Sequence, residues 1–320
     1  MPFKTILKKL DFMAECRKYG LGFWQCPNSL FLVMGIIIIV AMIATYFIGI
    51  HFVEPELVIV IVCVVTIILL IIGHSLVNSF ARIAEANRMK SEFVSIVSHQ
   101  LRTPLSGLKW SINLLLGRRL GKLTEKQRKY LEIINESNNR MIKLVNDLLN
   151  VSRIEQRKLE LKPRTFFIKD LIEEVVRESK LLAESRKVKL SFTLSRNLPK
   201  VSADPEKIRL VIQNLIDNAI KYCKDEGGLV EVKANMDGKN KKMLMISVKD
   251  NGLGIPYFLQ KQIFNKFSRG DNLIKQKVEG AGLGLFIAKG IVNLSGGKIN
   301  FKSREGKGSI FWFTLPISKK

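Results

Sequence analysis

The sequence predicts a multidomain chain built in three parts: a two-helix transmembrane hairpin, an antiparallel helical hairpin that closes as a dimeric four-helix bundle, and a C-terminal α+β sandwich. Three observations carry this. Residues 30–50 and 57–77 are two 21-residue runs without Asp, Glu, Lys or Arg, six residues apart. Residues 91–157 place apolar side chains at 3 and 4 spacing on two segments joined by a glycine-flanked turn. Within 165–320, helical and strand patterns alternate and close on a hairpin around Gly306-Lys307-Gly308.

Composition sets the frame. At 320 residues, 47% hydrophobic and 25% charged, the chain has room for these parts and is not disordered. Its formal net charge is +24. The basic residues are spread along the chain, and no zinc spacing, ribonucleoprotein motif or helix-turn-helix accompanies them. Nucleic acid is therefore not the expected partner; membrane lipid and an acidic protein are. Cys16, Cys26, Cys63 and Cys223 fit neither a zinc site nor a Cys-x-x-Cys pair, so free thiols and a largely cytosolic bulk are expected.

Residues 1–29 carry Lys4, Lys8, Lys9, Arg17 and Lys18 against Asp11 and Glu15. Phe3, Ile6, Leu7 and Leu10 share a helical face, which fits a basic amphipathic helix on the inner membrane surface or a frayed basic tail. Each apolar run is long enough to cross a hydrocarbon core of about 30 Å. No cleavage pattern follows the first, so it is expected to be retained. The loop 51–56 is acidic and both outer flanks are basic, which places both termini in the cytoplasm. A six-residue loop cannot fold as an extracytoplasmic sensor domain. Residues 78–90 continue as a helical linker marked by Arg82, Arg88 and Lys90.

In 91–157, Val94, Val97 and Leu101 share one helical face, resumed at Leu105, Leu108, Ile112 and Leu115. His99 lies roughly 200° round the helix from Val97 and Leu101, toward water. Pro104 is expected to kink this helix by removing one backbone donor. After the turn Gly117–Lys122, Thr124 and Gln127 form a capping box. Leu131, Ile134, Asn138, Met141, Val145, Leu148 and Ser152 then make a heptad seam with one Asn inside it. A single hairpin leaves an apolar face open, and a second copy closes it. Residues 158–164 are a charged linker with Pro163. The final domain is expected to have helices at 168–184, 205–222 and 283–294, and strands at 189–194, 228–234, 243–249, 297–302 and 309–316.

Four clusters in that domain suit a nucleotide. Asn214, Asn218 and Lys221 share a helical face, with Tyr222 next in line. Amide oxygens suit a hydrated Mg²⁺, and Lys221 suits phosphate. Asp250-Asn251-Gly252-Leu253-Gly254 follows a strand: the carboxylate can accept from an exocyclic amine, and the glycines let backbone approach a flat base. Phe264-Asn265-Lys266-Phe267-Ser268-Arg269 is the third cluster. Gly280-Ala281-Gly282-Leu283-Gly284-Leu285 opens a helix whose amides and positive end can hold phosphate. This last cluster is neither a Rossmann fingerprint nor a Walker loop: no strand leads into Gly280, and no Gly-Lys-Ser/Thr follows.

The run His99-Gln100-Leu101-Arg102-Thr103-Pro104-Leu105 resembles the phosphoacceptor box of bacterial two-component sensor histidine kinases; Gln100 stands where that family has an acid. In their order the four clusters resemble the N, G1, F and G2 boxes of the family's GHKL-type (Bergerat) ATP-binding domain, and Gly306–Phe313 resembles its closing hairpin. The resemblance covers roughly residues 90–319. It implies a homodimer in the bacterial inner membrane that uses ATP and Mg²⁺ to phosphorylate His99. The phosphate then passes to an Asp of a response regulator receiver domain on a separate chain. It implies Asn218 as the Mg²⁺ ligand with Asn214 as its support, Lys221 on phosphate, Tyr222 beside the nucleotide and Asp250 on adenine. Gly252, Gly254, Gly280, Gly282, Leu283 and Gly284 line the ATP site, residues 271–279 form a lid, and Arg269 reaches the γ-phosphate. Lys266 stands where the family often has Arg. Thr103 matches the position that orients water when the regulator is dephosphorylated. Two other readings remain open: a plain ATPase of the same superfamily, and a catalytically weakened kinase-like membrane scaffold or regulator phosphatase, which Gln100 favours.

Overall fold

The computed structural model describes residues 27–52, 54–117, 121, 123–195, 197–224, 226–238, 240, 242–268 and 281–318. The basic stretch 1–26, the turn residues 118–120, Arg269, Gly280 and the lid 271–279 lie outside them. The chain divides into two compact units. One runs to Gln100 and takes in Glu155–Arg157; the other comprises Leu101–Ile154 and everything from Lys158 onward.

The first unit is helical. Helix α1 (Pro27–Gly49) and the apolar part of α2 (Pro55–Leu116) are long and apolar enough to cross a membrane, and 6% and 11% of their apolar windows are buried. The short connection between them makes them antiparallel, and glycines let them close up. A Cβ on Gly49 would sit 2.8 Å from Val58 Cγ1, and one on Gly73 would sit 3.0 Å from Met34 Cε. Isoleucine, valine and phenylalanine side chains over most of the remaining surface face outward. Pro104 does not end α2, which continues as one helix to Leu116.

In the second unit, helix α3 (Glu125–Glu155) opens on the expected capping box: Gln127 N–H donates to Thr124 Oγ1, and Thr124 N–H donates to Gln127 Oε1 at 2.9 Å. The expected seam splits in two. Leu105 and Ile112 on α2, and Asn138, Val145 and Ser152 on α3, are buried. Leu101, Leu108, Leu115, Ile134 and Met141 remain 37–49% exposed. One half of the heptad pattern thus closes the hairpin and the other half stays open, as a four-helix bundle of two copies requires. Asn138 Nδ2 donates to the Leu105 carbonyl at 3.0 Å, which pins the register of the two helices.

The sandwich carries a five-stranded sheet of order β2-β4-β5-β7-β6. Its strands are β2 (Val188–Leu194), β4 (Gly228–Met236), β5 (Met243–Asp250), β6 (Ile299–Arg304) and β7 (Gly308–Pro316). Only β2 and β4 pair parallel. Helices α4 (Ile168–Ser185), α5 (Pro205–Lys221) and α7 (Gly284–Leu294) cover one face, with Ile172, Ile208, Ile212, Leu244, Ile287 and Phe313 fully buried between the layers. Asp204 caps α5 by accepting from the N–H groups of Glu206 and Lys207. The expected helices and strands are all present, with ends moved by one or two residues. A short pair, β1 (Arg164–Phe166) with β3 (Val201–Ala203), and the single-turn α6 (Tyr257–Gln260) were not foreseen, being too short to show a period. Val151 and Leu159 join the sandwich core. Ile154 packs against Gly290 of α7, where a Cβ would lie 2.8 Å from its Cδ1.

Candidate nucleotide site and histidine acceptor

The acceptor box lies on α2. His99 and Gln100 are exposed, while Ser98 is buried and its hydroxyl has no partner among the described residues. Thr103, further along the same helix, is also exposed. Arg102 does not face solvent alone; its guanidinium donates to Asn146 Oδ1 at 2.9 Å, tying α2 to α3.

The nucleotide clusters converge from three elements. Asn214 is buried on α5, and its Nδ2 donates to the Gly284 carbonyl at the start of α7 at 3.4 Å. A Cβ on Gly284 would lie 3.3 Å from the same amide, so glycine permits this approach. At the other end of α5, the Tyr222 carbonyl accepts the Leu253 N–H at 3.0 Å. A Cβ on Gly252 would collide with that carbonyl and lie 2.9 Å from Cys223 Cα. Gly254 has φ +66° and runs against the Arg304 backbone, so both glycines of this turn are required by geometry. A Cβ on Gly282 would lie 3.0 Å from the Phe267 backbone, while Lys266 Nζ lies 6.0 Å from the Phe286 ring centroid. Lys221 Nζ lies 5.0 Å from the Tyr222 ring centroid. Leu283 is buried just before α7, whose first-turn amides carry no side-chain cap.

Asp250 sits at the centre. Its Oδ1 accepts from Gly252 N–H at 2.9 Å and Ser309 N–H at 3.2 Å. Its Oδ2 has no protein donor among the described residues, which leaves one carboxylate oxygen for an outside donor. Burial raises the Asp250 pKa above the ordinary carboxylate range, against the two amides that lower it. Residue patterns alone missed the Ser309 amide. They also missed Asn251, whose Oδ1 accepts from Leu229 N–H at 2.8 Å and whose Nδ2 donates to the Gly227 carbonyl at 2.9 Å, holding the turn. The legible signal was the Gly-x-Gly next to Asp250; nothing local marked a strand two segments away as its donor.

A second feature had no sequence signal. Lys143 Nζ on α3 pairs with Asp217 Oδ2 on α5 at 2.8 Å, one residue before Asn218. Gln213 Nε2 donates to the other Asp217 oxygen at 2.7 Å. Asp147, 7% exposed beside this pair, has its pKa pushed up to about 6 by burial, with Lys143 lowering it and Asp217 raising it. A carboxyl whose folded pKa is raised binds its proton in the native state, so its charge costs stability as pH rises from 3.8 through about 6. Asp147→Asn should therefore raise thermal stability by of order 1–2 kcal/mol at neutral pH. Melting curves should show the gain growing across that window and levelling above it. A gain independent of pH would contradict the assignment.

Two family models match. Residues 89–157 match HisKA, the His Kinase A (phospho-acceptor) domain, and residues 203–319 match HATPase_c, the histidine kinase-, DNA gyrase B- and HSP90-like ATPase. The circadian input-output histidine kinase CikA of Synechococcus elongatus is 34% identical over 245 residues, covering 76% of this chain and 32% of that protein. The signal transduction histidine-protein kinase BarA of Escherichia coli K12 is 34% identical over 237 residues, 74% of this chain and 26% of that one. The crystal structure of full-length ShkA in complex with AMPPNP superposes with a TM-score of 0.59 at 30% identity, over 72% of this chain and 46% of that one. The chain spans less than half the length of each of these relatives. An acceptor-box helix hairpin followed by an ATPase-like sandwich, matched in that order, places the chain in the sensor histidine kinase family.

Proposed function

We propose that this chain is a membrane-bound, homodimeric sensor histidine kinase that moves the γ-phosphoryl group of ATP to His99 and then to an Asp of a separate response regulator. The observation that carries this reading is Asp250, held by two amides with one oxygen left over, beside the Asn214–Gly284 contact that joins α5 to α7.

In this reading Asp250 Oδ2 accepts from the exocyclic amine of adenine, and Gly252 and Gly254 leave room for the ring. Tyr222 flanks it. Lys221 and Lys266 face phosphate, with the amides of Gly280, Gly282, Leu283 and Gly284 and the positive end of α7. Arg269 reaches the γ-phosphate. Asn218 would hold Mg²⁺, which would supply positive charge against the phosphate groups; among the described residues no cluster of His, Cys, Asp or Glu offers a competing metal site. Asn214 fixes the helix that carries these groups. A ring nitrogen of His99 attacks γ-phosphorus; the N–P bond forms as the bond to the ADP oxygen breaks. Asn214 also separates this reading from a plain ATPase. An amide cannot take a proton from water, so the nucleophile is not water.

The two apolar helices are read as spans of a bacterial inner membrane. The basic flanks at Lys4, Lys8 and Lys9 and at Arg82, Arg88 and Lys90 support a cytoplasmic location for both ends.

The test is to incubate the full chain in lipid nanodiscs with γ-labelled ATP. Acid-labile, base-stable label on the protein is expected. Phosphate release without label would mean an ATPase, and absence of nucleotide binding would mean a scaffold.

Gln100 favours a second reading, a slowed kinase with regulator phosphatase activity at Thr103. A Gln carbonyl can accept from one imidazole N–H and fix the tautomer. It cannot carry the negative charge that stabilises the imidazolium as phosphoryl arrives. Gln100→Glu should raise the single-turnover labelling rate about tenfold or more, and Gln100→Leu should lower it. A slower Gln100→Glu would show that the site has been rebuilt around the amide.

A further inference from the structure

Helices cover one face of the five-stranded sheet, and the residues that alternate outward define the other. Strand register brings Glu231, Lys249, Ile310 and Lys302 into one row, and Lys233, Ser247, Trp312 and Asn300 into the next. Lys189 on β2 and Arg304 on β6 extend the face to both edges, and Lys298, bonded opposite Thr314, adds a further cation. All six basic residues are exposed.

The one acid on this face does not offset them. Glu231 pairs with Lys233 at 2.8 Å, and its pKa is lowered by that bond and by the nearby Lys249. Between the cations lies an apolar strip of Met245, Ile310 and Trp312, each half-buried. An outward sheet face is ordinarily mixed in sign and polar. Here it is strongly basic around a central tryptophan.

We propose that this outer face docks on the anionic cytoplasmic leaflet of the membrane that holds α1 and α2. A flat occupant suits a flat face. Lysines attract an acidic lipid surface, and a tryptophan ring prefers the interface between headgroups and hydrocarbon. Covalent attachment to the two apolar helices keeps the domain at high effective concentration near that surface, so modest affinity suffices. This rests on the membrane reading given above.

The experiment uses the full chain with Trp24→Phe and Trp110→Phe, which leaves Trp312 as the sole tryptophan. It is placed in nanodiscs of phosphatidylcholine alone, or with about one third phosphatidylglycerol, in both cases with brominated acyl chains. Trp312 fluorescence should be quenched in the anionic discs and not in the neutral ones. High salt should relieve the quenching, since exposed charges are screened within about 10 Å even at 0.1 M. Lys249→Gln/Lys302→Gln/Arg304→Gln should weaken the contact by about two orders of magnitude and abolish quenching, with the melting temperature unchanged.

Equal fluorescence in both lipids, with the chain seated in the disc, would overturn this proposal alone. Failure of the chain to enter discs would overturn the membrane reading and this proposal with it. A response of Trp312 to polyglutamate but not to lipid would assign the face to an acidic protein and overturn the proposal.

Discussion

Asp250→Asn should weaken ATP binding about a hundredfold while leaving the protein as stable as the parent or more so. The amide oxygen can still accept from the Gly252 and Ser309 N–H groups that Asp250 Oδ1 holds. The amide nitrogen then occupies the place of Oδ2 and meets the amine of adenine, donor against donor. A buried donor left without an acceptor costs roughly 2–3 kcal/mol, which sets the hundredfold figure. Stability moves the other way. Burial holds the Asp250 pKa above its ordinary value, so the charged carboxylate costs free energy at neutral pH, and Asn removes that cost. Titration with a fluorescent ATP analogue and a melting curve on the same sample read both effects. Unchanged affinity would place the adenine contact elsewhere; a collapsed melting temperature would mean that Asp250 holds the fold rather than the base.

The second large effect is at Asn218. Asn218→Ala removes the proposed magnesium ligand without touching the Asn214–Gly284 contact that joins α5 to α7. Phosphoryl transfer should fall by about a thousandfold, the scale of losing one group that stabilises transition-state charge. Nucleotide binding measured in EDTA should be nearly unchanged, because the adenine contacts do not depend on the metal. Labelling at the parental rate would mean that another group holds the ion.

Long periodic elements were legible before any coordinates. The two apolar helices, the hairpin and the capping box at Thr124 are present, and the helices and strands of the sandwich stand within a residue or two of where their patterns placed them. The glycine-rich turns were legible too, since Gly252 and Gly284 sit where any side chain would meet Tyr222 or Asn214. What was hidden depends on partners distant in sequence. The Ser309 amide on Asp250 comes from another strand, and Lys143 meets Asp217 across 74 residues. The heptad pattern also concealed a division of labour. Periodicity assigns Leu101, Leu105, Leu108 and Ile112 to one stripe, yet only Leu105 and Ile112 are buried in the single hairpin. Which half of a wide stripe closes within a chain and which waits for a second copy is decided by helix packing, not by spacing. Pro104, read as a kink and not a stop, does lie inside one long helix, where one lost hydrogen bond is small beside the packing on either side.

The most direct test of the account is the position of the phosphate. After an alkaline quench of a single turnover with γ-labelled ATP, the full chain and its His99→Gln variant are compared for label, and nucleotide binding is measured on unquenched samples of both. His99 is the sole histidine beyond residue 74, so phosphohistidine in the C-terminal parts can form nowhere else. The parent should carry acid-labile label on the peptide containing His99, and the variant should bind ATP normally and carry none. Acid-stable label on Ser or Thr in both proteins would contradict the account, as would acid-labile label that persists in the variant.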